Sequence, residues 1–263
     1  MTYIFYSLIC LIATTLGAIS GIGGGVIIKP VFDAAVDLTV SQISFLSGCS
    51  VLAMSVVSLI TAKGGDAKID KARTTPLAIG SAVGGVVGKL AFDVIKRLAQ
   101  GDGVVGTFQS TVMILLTVGV LFYVLNKRRI ITYNVSSNWI SIVIGLILGI
   151  LSSFLGIGGG PINLAVLYFF FSMDTKTAAL NSLYIIFFAQ TASLLYSLVS
   201  FSIPQIDYIA LSVMIISGII GGMMGRKINK KMSSHAVDIL FCCMLIVIIG
   251  ISIYNFTKYL LLI

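Results

Sequence analysis

The sequence predicts an all-α integral membrane protein. Of its 263 residues, 58% are hydrophobic and only 10% are charged, and the mean hydropathy is +1.10. Soluble domains contain about 25% charged residues, so a chain this poor in charge is expected in a bilayer. A membrane-spanning helix needs about 20 apolar residues, and apolar stretches fill nearly the whole length. We therefore expect a multi-pass protein of the cell membrane, with a retained first helix rather than a cleaved signal peptide.

One pentapeptide, Gly-Ile-Gly-Gly-Gly, occurs twice, at residues 21–25 and 156–160. A glycine inside a helix costs about 1 kcal/mol relative to alanine, so each cluster is expected to break the apolar helix that contains it. A break at membrane depth exposes backbone N–H and C=O groups that lipid cannot satisfy. Two matched breaks are typical of a transporter with internal symmetry, in which this free backbone contacts a ligand.

The two halves of the chain align beyond the pentapeptide. The offset between corresponding residues of the two halves increases by two residues after the glycine clusters and then stays constant. This constant offset indicates a duplicated unit. We predict a first repeat at residues 1–126, a cytoplasmic linker at 127–138 and a second repeat at 139–263. The corresponding segments include 69–70 with 206–207 and 84–89 with 221–226.

Each repeat is predicted to contain a glycine-broken hairpin followed by three transmembrane helices. Clusters of Lys and Arg place residues 63–73, 127–138 and 226–231 on the cytoplasmic side. The hairpin of each repeat enters and leaves on the same side of the membrane, and three spans follow it. Because three is an odd number, the second half begins on the opposite side of the membrane from the first. The halves are therefore expected to be inverted repeats. The predicted helices are 3–20, 26–36, 41–62, 74–98 and 104–125, then 139–155, 162–173, 177–201, 205–227 and 236–259.

The glycine breaks are the predicted substrate site. A helix that restarts after a break presents up to four unpaired N–H groups and a partial charge of about +0.5, and the missing side chains let a small anion approach. Pro161 suits the first turn of the restarted helix. The predicted binding residues in the breaks are Gly21, Gly23, Gly24, Gly25, Gly156, Gly158, Gly159, Gly160 and Pro161.

Uncharged polar residues in the apolar segments are the other candidates for the site. Their amide and hydroxyl groups could complete the shell of an anion without placing a charge in lipid. The alternative for each is a hydrogen bond between helices. These candidates are Asn163, Ser44, Asn181, Ser182 and Gln190.

Charged residues near the segment ends are interpreted as structural. Lys29 is expected to snorkel to the interface, with a counter-charge to the substrate as the alternative. Lys89 and Arg226, at equivalent positions of the two halves, are expected to anchor helices at the interface. Glycine pairs at GxxxG spacing are expected to pack helices closely. The acidic residues Asp33, Asp37 and Asp174 are interpreted as caps of neighbouring elements.

Together these motifs resemble the TauE/SafE family of membrane transporters, also described as the sulfite exporter family. The resemblance covers both halves and rests on the paired GxGGG breaks, the proline after the second, and the GGxxG[KR] segments at 84–89 and 221–226. It implies export of sulfite or a related small sulfur-containing anion. A potential of 100 mV, negative inside, favours anion export by about 2.3 kcal/mol per charge, so we expect export without strong coupling to another ion.

Other function classes find little support in the sequence. The four cysteines, Cys10, Cys49, Cys242 and Cys243, have no metal-ligand spacing, and HExxH and nucleotide-binding motifs are missing. We expect no metal, no cofactor, no enzymatic activity and no nucleic-acid partner. The expected partners are the small anion and the lipid bilayer, with a homo-oligomer left open. A small-anion channel and an importer of the same substrates remain the alternatives.

Overall fold

A computed structural model of the chain describes residues 2–62, 67–99, 102–127 and 129–261. Within these ranges the chain forms ten helices and no strand, which confirms the all-α prediction. The helices are α1 Thr2–Ser20, α2 Gly25–Ala35, α3 Val40–Ile60, α4 Lys71–Leu98, α5 Asp102–Asn126, α6 Asn138–Leu155, α7 Gly160–Phe171, α8 Thr175–Val199, α9 Tyr208–Lys231 and α10 Ser234–Leu260.

Eight of the described helices are long and apolar enough to cross a membrane. The exceptions are α2, with 11 residues, and α7, with 12 residues, which directly follow the glycine breaks. At 1.5 Å per residue each reaches less than about 20 Å, whereas the hydrocarbon core is about 30 Å thick. The protein is therefore a multi-pass membrane protein with two half-length helices.

Polar side chains define where several helices begin. Asp70 and Asp207, at corresponding positions of the halves, accept hydrogen bonds from the first backbone N–H groups of α4 and α9. Asp174 caps α8 in the same way, as predicted. Thr39 forms a capping box with Gln42 at the start of α3, so Asp37 does not supply that cap.

The long interfaces join helices of different halves. α1 packs along α9 and α6 along α4, while α3 and α8 pack against α9 and α4 respectively, and α5 packs against α10. This pattern is unchanged when the two halves are exchanged, as expected for a duplicated unit. The boundaries of the repeats at 1–126 and 139–263, the linker at 127–138 and the inverted orientation stay predictions.

Glycines let these interfaces close. A Cβ on Gly84 or Gly88 would overlap backbone carbonyl oxygens of α6, and one on Gly145 or Gly149 would overlap carbonyl oxygens of α4. Gly225 on α9 meets α1 in the same way. These contacts confirm that the GxxxG pairs serve close helix packing.

Candidate functional site

Both glycine clusters interrupt their helices. The first and third residues of each cluster lie in the left-handed region, with φ of +82° and +83° at Gly21 and Gly23 and of +66° and +73° at Gly156 and Gly158. A side chain is strained in this conformation, so the turn itself demands glycine. The two breaks therefore begin with the same backbone turn.

The breaks then diverge. Gly24 has a helical φ of −67° and leads directly into α2. In the second break Gly159 and Gly160 keep positive φ values of +123° and +65°, and Pro161 lies in the first turn of α7, as predicted. The second break thus holds more backbone outside the helical conformation than the first.

The two breaks touch each other. A Cβ on Gly25 would overlap the carbonyl oxygen of Ile157, and one on Gly23 would lie 3.7 Å from the carbonyl oxygen of Gly158. A Cβ on Gly160 would lie 3.0 Å from the Val26 side chain. Because the backbones are in contact, a ligand in this conformation has to bind beside the breaks rather than between them.

Several backbone N–H groups of the breaks have no acceptor. Gly21 and Gly156, the first residue of each break, donate to the carbonyl oxygens of Gly17 and Ser153. Within the described ranges, the N–H groups of residues 22–26 and 158–160 donate no hydrogen bond. Nearly all buried backbone N–H groups in proteins are paired, so these groups indicate water or ligand next to the breaks.

A small cavity lies beside Gly156, and about 20 Å³ of it is open to a water-sized particle. Its polar lining includes Ser44 of α3, Lys89 of α4, Ser153 of α6 and Gln190 of α8. A Cβ on Gly156 would approach the Cβ of Ser44 to 2.7 Å, so the cavity depends on glycine at this position. We refer to it as the Gly156 cavity.

The chemistry of the Gly156 cavity suits a small anion. Ser44 Oγ and Ser153 Oγ are buried and have no hydrogen-bond partner among the described residues, and Gln190 likewise makes no hydrogen bond there. Lys89 Nζ lies 3.1 Å from Asp93 and 4.7 Å from the centre of the Phe92 ring. One ammonium, two hydroxyls and one carboxamide can all donate to an oxyanion.

The structure brings some predicted site residues together here and leaves others nearby. Gly156, Ser44 and Gln190 line the Gly156 cavity, and the Gln190 carboxamide also lies near Gly158. Asn163 is buried beside Gly159, and its Oδ1 has no partner in the described part of the chain. These residues form one contiguous polar region around the second break.

Other predicted residues lie in different surroundings. Asn181 accepts hydrogen bonds from the Asp70 N–H at 3.0 Å and from the Thr74 hydroxyl, and it donates to the Lys68 and Thr177 carbonyl oxygens. Its hydrogen-bonding capacity is therefore used to hold the segment before α4. Ser182 is buried and lacks a partner within the described residues, Gly21 packs against Ala179 and Gly24 packs against Thr14.

The expected placement of the charged residues was wrong at three positions, Lys29, Asp33 and Arg226. Lys29 does not snorkel and Asp33 does not cap, because they form an ion pair of 3.1 Å within α2 with side chains 5% and 7% exposed. Arg226 is 1% exposed and bonds to Asn229. Lys89 lines the Gly156 cavity with its side chain 13% exposed. Lys89 and Arg226 occupy equivalent positions after the GGxxG segments of the two halves. This equivalence was a signal in the sequence that both side chains could lie inside the protein.

Paired helix breaks, half-length helices and a polar cavity at the breaks define a helical membrane transporter. The family model described as "Sulfite exporter TauE/SafE" matches residues 6–252, and the chain belongs to this family. It is also similar to a Bacillus subtilis (strain 168) protein, "Probable membrane transporter protein YunE", with 23% identity over 271 residues that cover 94% of this chain and 96% of that protein. No solved structure matches the chain. The protein is thus a multi-pass membrane transporter, consistent with the expectation that it is not an enzyme.

Proposed function

We propose that the protein exports a small sulfur-containing anion, such as sulfite, that binds in the Gly156 cavity. The observation that carries this proposal is a pair of buried serine hydroxyls, Ser44 and Ser153, that have no partner among the described residues and lie with Lys89 and Gln190 beside a helix break. A buried polar group without a hydrogen bond costs about 1–3 kcal/mol. Two such hydroxyls beside the Lys89 ammonium and the Gln190 carboxamide are explained by an acceptor-rich ligand.

Sulfite fits this set of donors. It presents three oxygen atoms, each able to accept hydrogen bonds, and it carries negative charge. Lys89 supplies the positive charge, and an anion would compete with Asp93 for its ammonium, which lies 3.1 Å away in the ion pair. The partial neutralisation by Asp93 limits affinity, which suits a carrier that has to release its substrate on the other side.

The backbone N–H groups of residues 158–160, which have no acceptor within the described ranges, offer further donors next to the cavity. A helix N-terminus favours an anion because its N–H groups and its macrodipole both point towards the ligand. Since the cavity now admits a particle about the size of water, sulfite requires it to widen. We propose that the two halves rock at the contact between the breaks, which widens the cavity towards one side at a time.

The membrane potential supports export rather than import. At 100 mV, negative inside, each negative charge that leaves the cytoplasm gains about 2.3 kcal/mol. A small-anion channel and an importer of the same substrates are the alternative functions. A carrier shows saturable flux and counterflow exchange, and a channel shows neither.

The test is efflux of radiolabelled sulfite from proteoliposomes with the wild-type protein, Lys89→Met and Lys227→Met. Lys227 is exposed near the end of α9, so its substitution is the matched control. Loss of a hydrogen bond to a charged group removes about 1.5–3 kcal/mol, so Lys89→Met should lower sulfite affinity about 10- to 100-fold. Normal sulfite transport by folded Lys89→Met would contradict the proposed site.

A further inference from the structure

A second polar cavity lies on the other side of the second glycine break. Leu155 and Ile157, the two neighbours of Gly156, help to line it. About 20 Å³ of this cavity is open to a water-sized particle. Its polar lining comes from α2, α5 and α10 and comprises Lys29, Asp33, Gln109, Ser110, Ser252 and Asn255. We refer to it as the Asp33 cavity.

The Asp33 cavity contains a buried carboxylate. Asp33 pairs with Lys29 at 3.1 Å and accepts a hydrogen bond of 3.0 Å from the Tyr259 hydroxyl. Lys258 donates to the backbone carbonyl oxygen of Asp33 at 2.8 Å, near the end of α2 where the helix macrodipole favours a cation. An ion pair this deep in a membrane protein is costly to bury and usually marks an ion or substrate pathway.

Two amide oxygens of the cavity lining lack a donor. Gln109 Nε2 donates to the Phe154 carbonyl oxygen at 2.6 Å, and Asn255 Nδ2 donates to the Pro30 carbonyl oxygen at 2.8 Å. Because a carbonyl oxygen can only accept, these bonds fix the orientation of both amides. Gln109 Oε1 and Asn255 Oδ1 are consequently left buried without a partner in the described part of the chain, as is Ser252 Oγ.

We propose that the Asp33 cavity binds a small monovalent cation, of which Na⁺ is the probe. Asp33, Gln109, Asn255 and Ser252 would supply oxygen atoms, the ligands that hard cations prefer. The cavity has room for about one water-sized particle, so it can hold a single bare alkali-metal cation but not an organic cation such as choline. A single carboxylate favours a monovalent over a divalent ion.

Lys29 acts in this proposal as a tethered counter-ion. Its ammonium neutralises Asp33 while no cation is bound and withdraws from the carboxylate when Na⁺ enters. Because the two cations compete for one carboxylate, Na⁺ is expected to bind weakly. The site lies apart from the Gly156 cavity and uses none of its polar groups, so it goes beyond the proposed anion export and can be tested without any transport measurement.

The experiment is thermal unfolding of the purified full-length protein in detergent, with NaCl, KCl or choline chloride at equal ionic strength. Binding to the folded state alone should raise the apparent melting temperature in NaCl by about 5 °C at a hundredfold excess over Kd. Choline chloride should give no rise, because its cation is too large for the cavity, and KCl should give a rise no larger than that in NaCl. Equal melting temperatures in the three salts would overturn the proposal and leave water as the occupant of the cavity.

Three variants locate the cation. Ser252→Ala removes one oxygen ligand without breaking a hydrogen bond between described residues, and it should reduce the Na⁺-dependent rise. Asp33→Asn keeps the shape of the side chain but removes its charge, and it should abolish the Na⁺-dependent rise in melting temperature. Thr257→Ala, at an exposed position of the same helix, should keep the full rise. If Asp33→Asn does not fold, Ser252→Ala decides alone: a full Na⁺-dependent rise in this variant would overturn the site.

Discussion

Gly25 lies directly against Ile157, and a Cβ on Gly25 would stand 2.9 Å from the carbonyl carbon of Ile157. The two residues belong to different glycine breaks and are separated by more than half of the chain. Their contact joins the start of α2 to the break between α6 and α7. Any rearrangement that widens a cavity beside one break has to move this contact, which makes it the first place to test the proposed transport motion.

Gly25→Ala is expected to stop transport. The new methyl group overlaps backbone, which cannot rotate away, and overpacking of this kind costs about 1–3 kcal/mol. We expect a melting temperature lowered by several degrees, together with loss of sulfite efflux from proteoliposomes.

Gly250→Ala is the matched control for this change, since a Cβ on Gly250 in α10 meets no atom within 4 Å. Alanine in place of glycine inside a helix should stabilise the protein by about 0.5–1 kcal/mol and leave efflux intact. Equal behaviour of the two variants would show that the contact between the breaks is unimportant.

Gly156→Ala is expected to weaken anion binding by filling the Gly156 cavity. The added methyl group overlaps the hydroxyl of Ser44, and the positive φ of residue 156 adds strain of about 1–2 kcal/mol. Sulfite affinity, measured by titration of the purified protein, should fall at least about tenfold.

A double-mutant cycle separates the filled cavity from the backbone strain. Ser44→Gly alone should weaken sulfite binding, because it removes a donor of the proposed site. In the Gly156→Ala background it also restores part of the volume, so the loss in the double variant should be smaller than the sum of the two single losses. Simple additivity of the two changes would instead assign the whole loss to the backbone at residue 156.

The two cavities are expected to be linked. Gly156 lines one of them and its neighbours Leu155 and Ile157 line the other, so a shift of this break alters both. Coupling free energies between sites are typically 1–3 kcal/mol, so saturating Na⁺ should change the Kd for sulfite about 5- to 150-fold. An unchanged Kd would instead support the export without strong coupling to another ion that the sequence suggested. Linkage requires that sulfite change the Na⁺ affinity by the same factor, and two independent titrations can check this equality.

Asn181→Ala is expected to destabilise the protein without weakening anion binding. The change removes the acceptor of the Asp70 N–H and the Thr74 hydroxyl and the donor to the Lys68 carbonyl oxygen. Leaving such groups unpaired costs about 1–3 kcal/mol each. Thermal unfolding should show this loss of stability, while sulfite titration should give an unchanged Kd. A large rise in the Kd for sulfite would show that Asn181 contributes to anion binding.

Several features were predictable because they follow from local chemistry. The low fraction of charged residues and the high hydropathy predicted a helical membrane protein. The two clusters of four glycines in five residues predicted where the helices break. The GxxxG spacing indicated close packing, and Pro161 indicated the restart of α7. Each of these depends on the backbone preferences and hydropathy of neighbouring residues, which are present in the sequence itself.

The roles of the charged and polar side chains were decided by the tertiary structure. Nothing adjacent to Lys29 shows that α10 covers the ion pair it forms with Asp33, because Tyr259 of α10, which donates to Asp33, lies 226 positions further along the chain. Asn181 was predicted at the substrate, and its hydrogen bonds hold the segment before α4. Whether a polar group in a membrane protein faces lipid, a cavity or a partner depends on which distant helix packs against it, and only the assembled fold determines that.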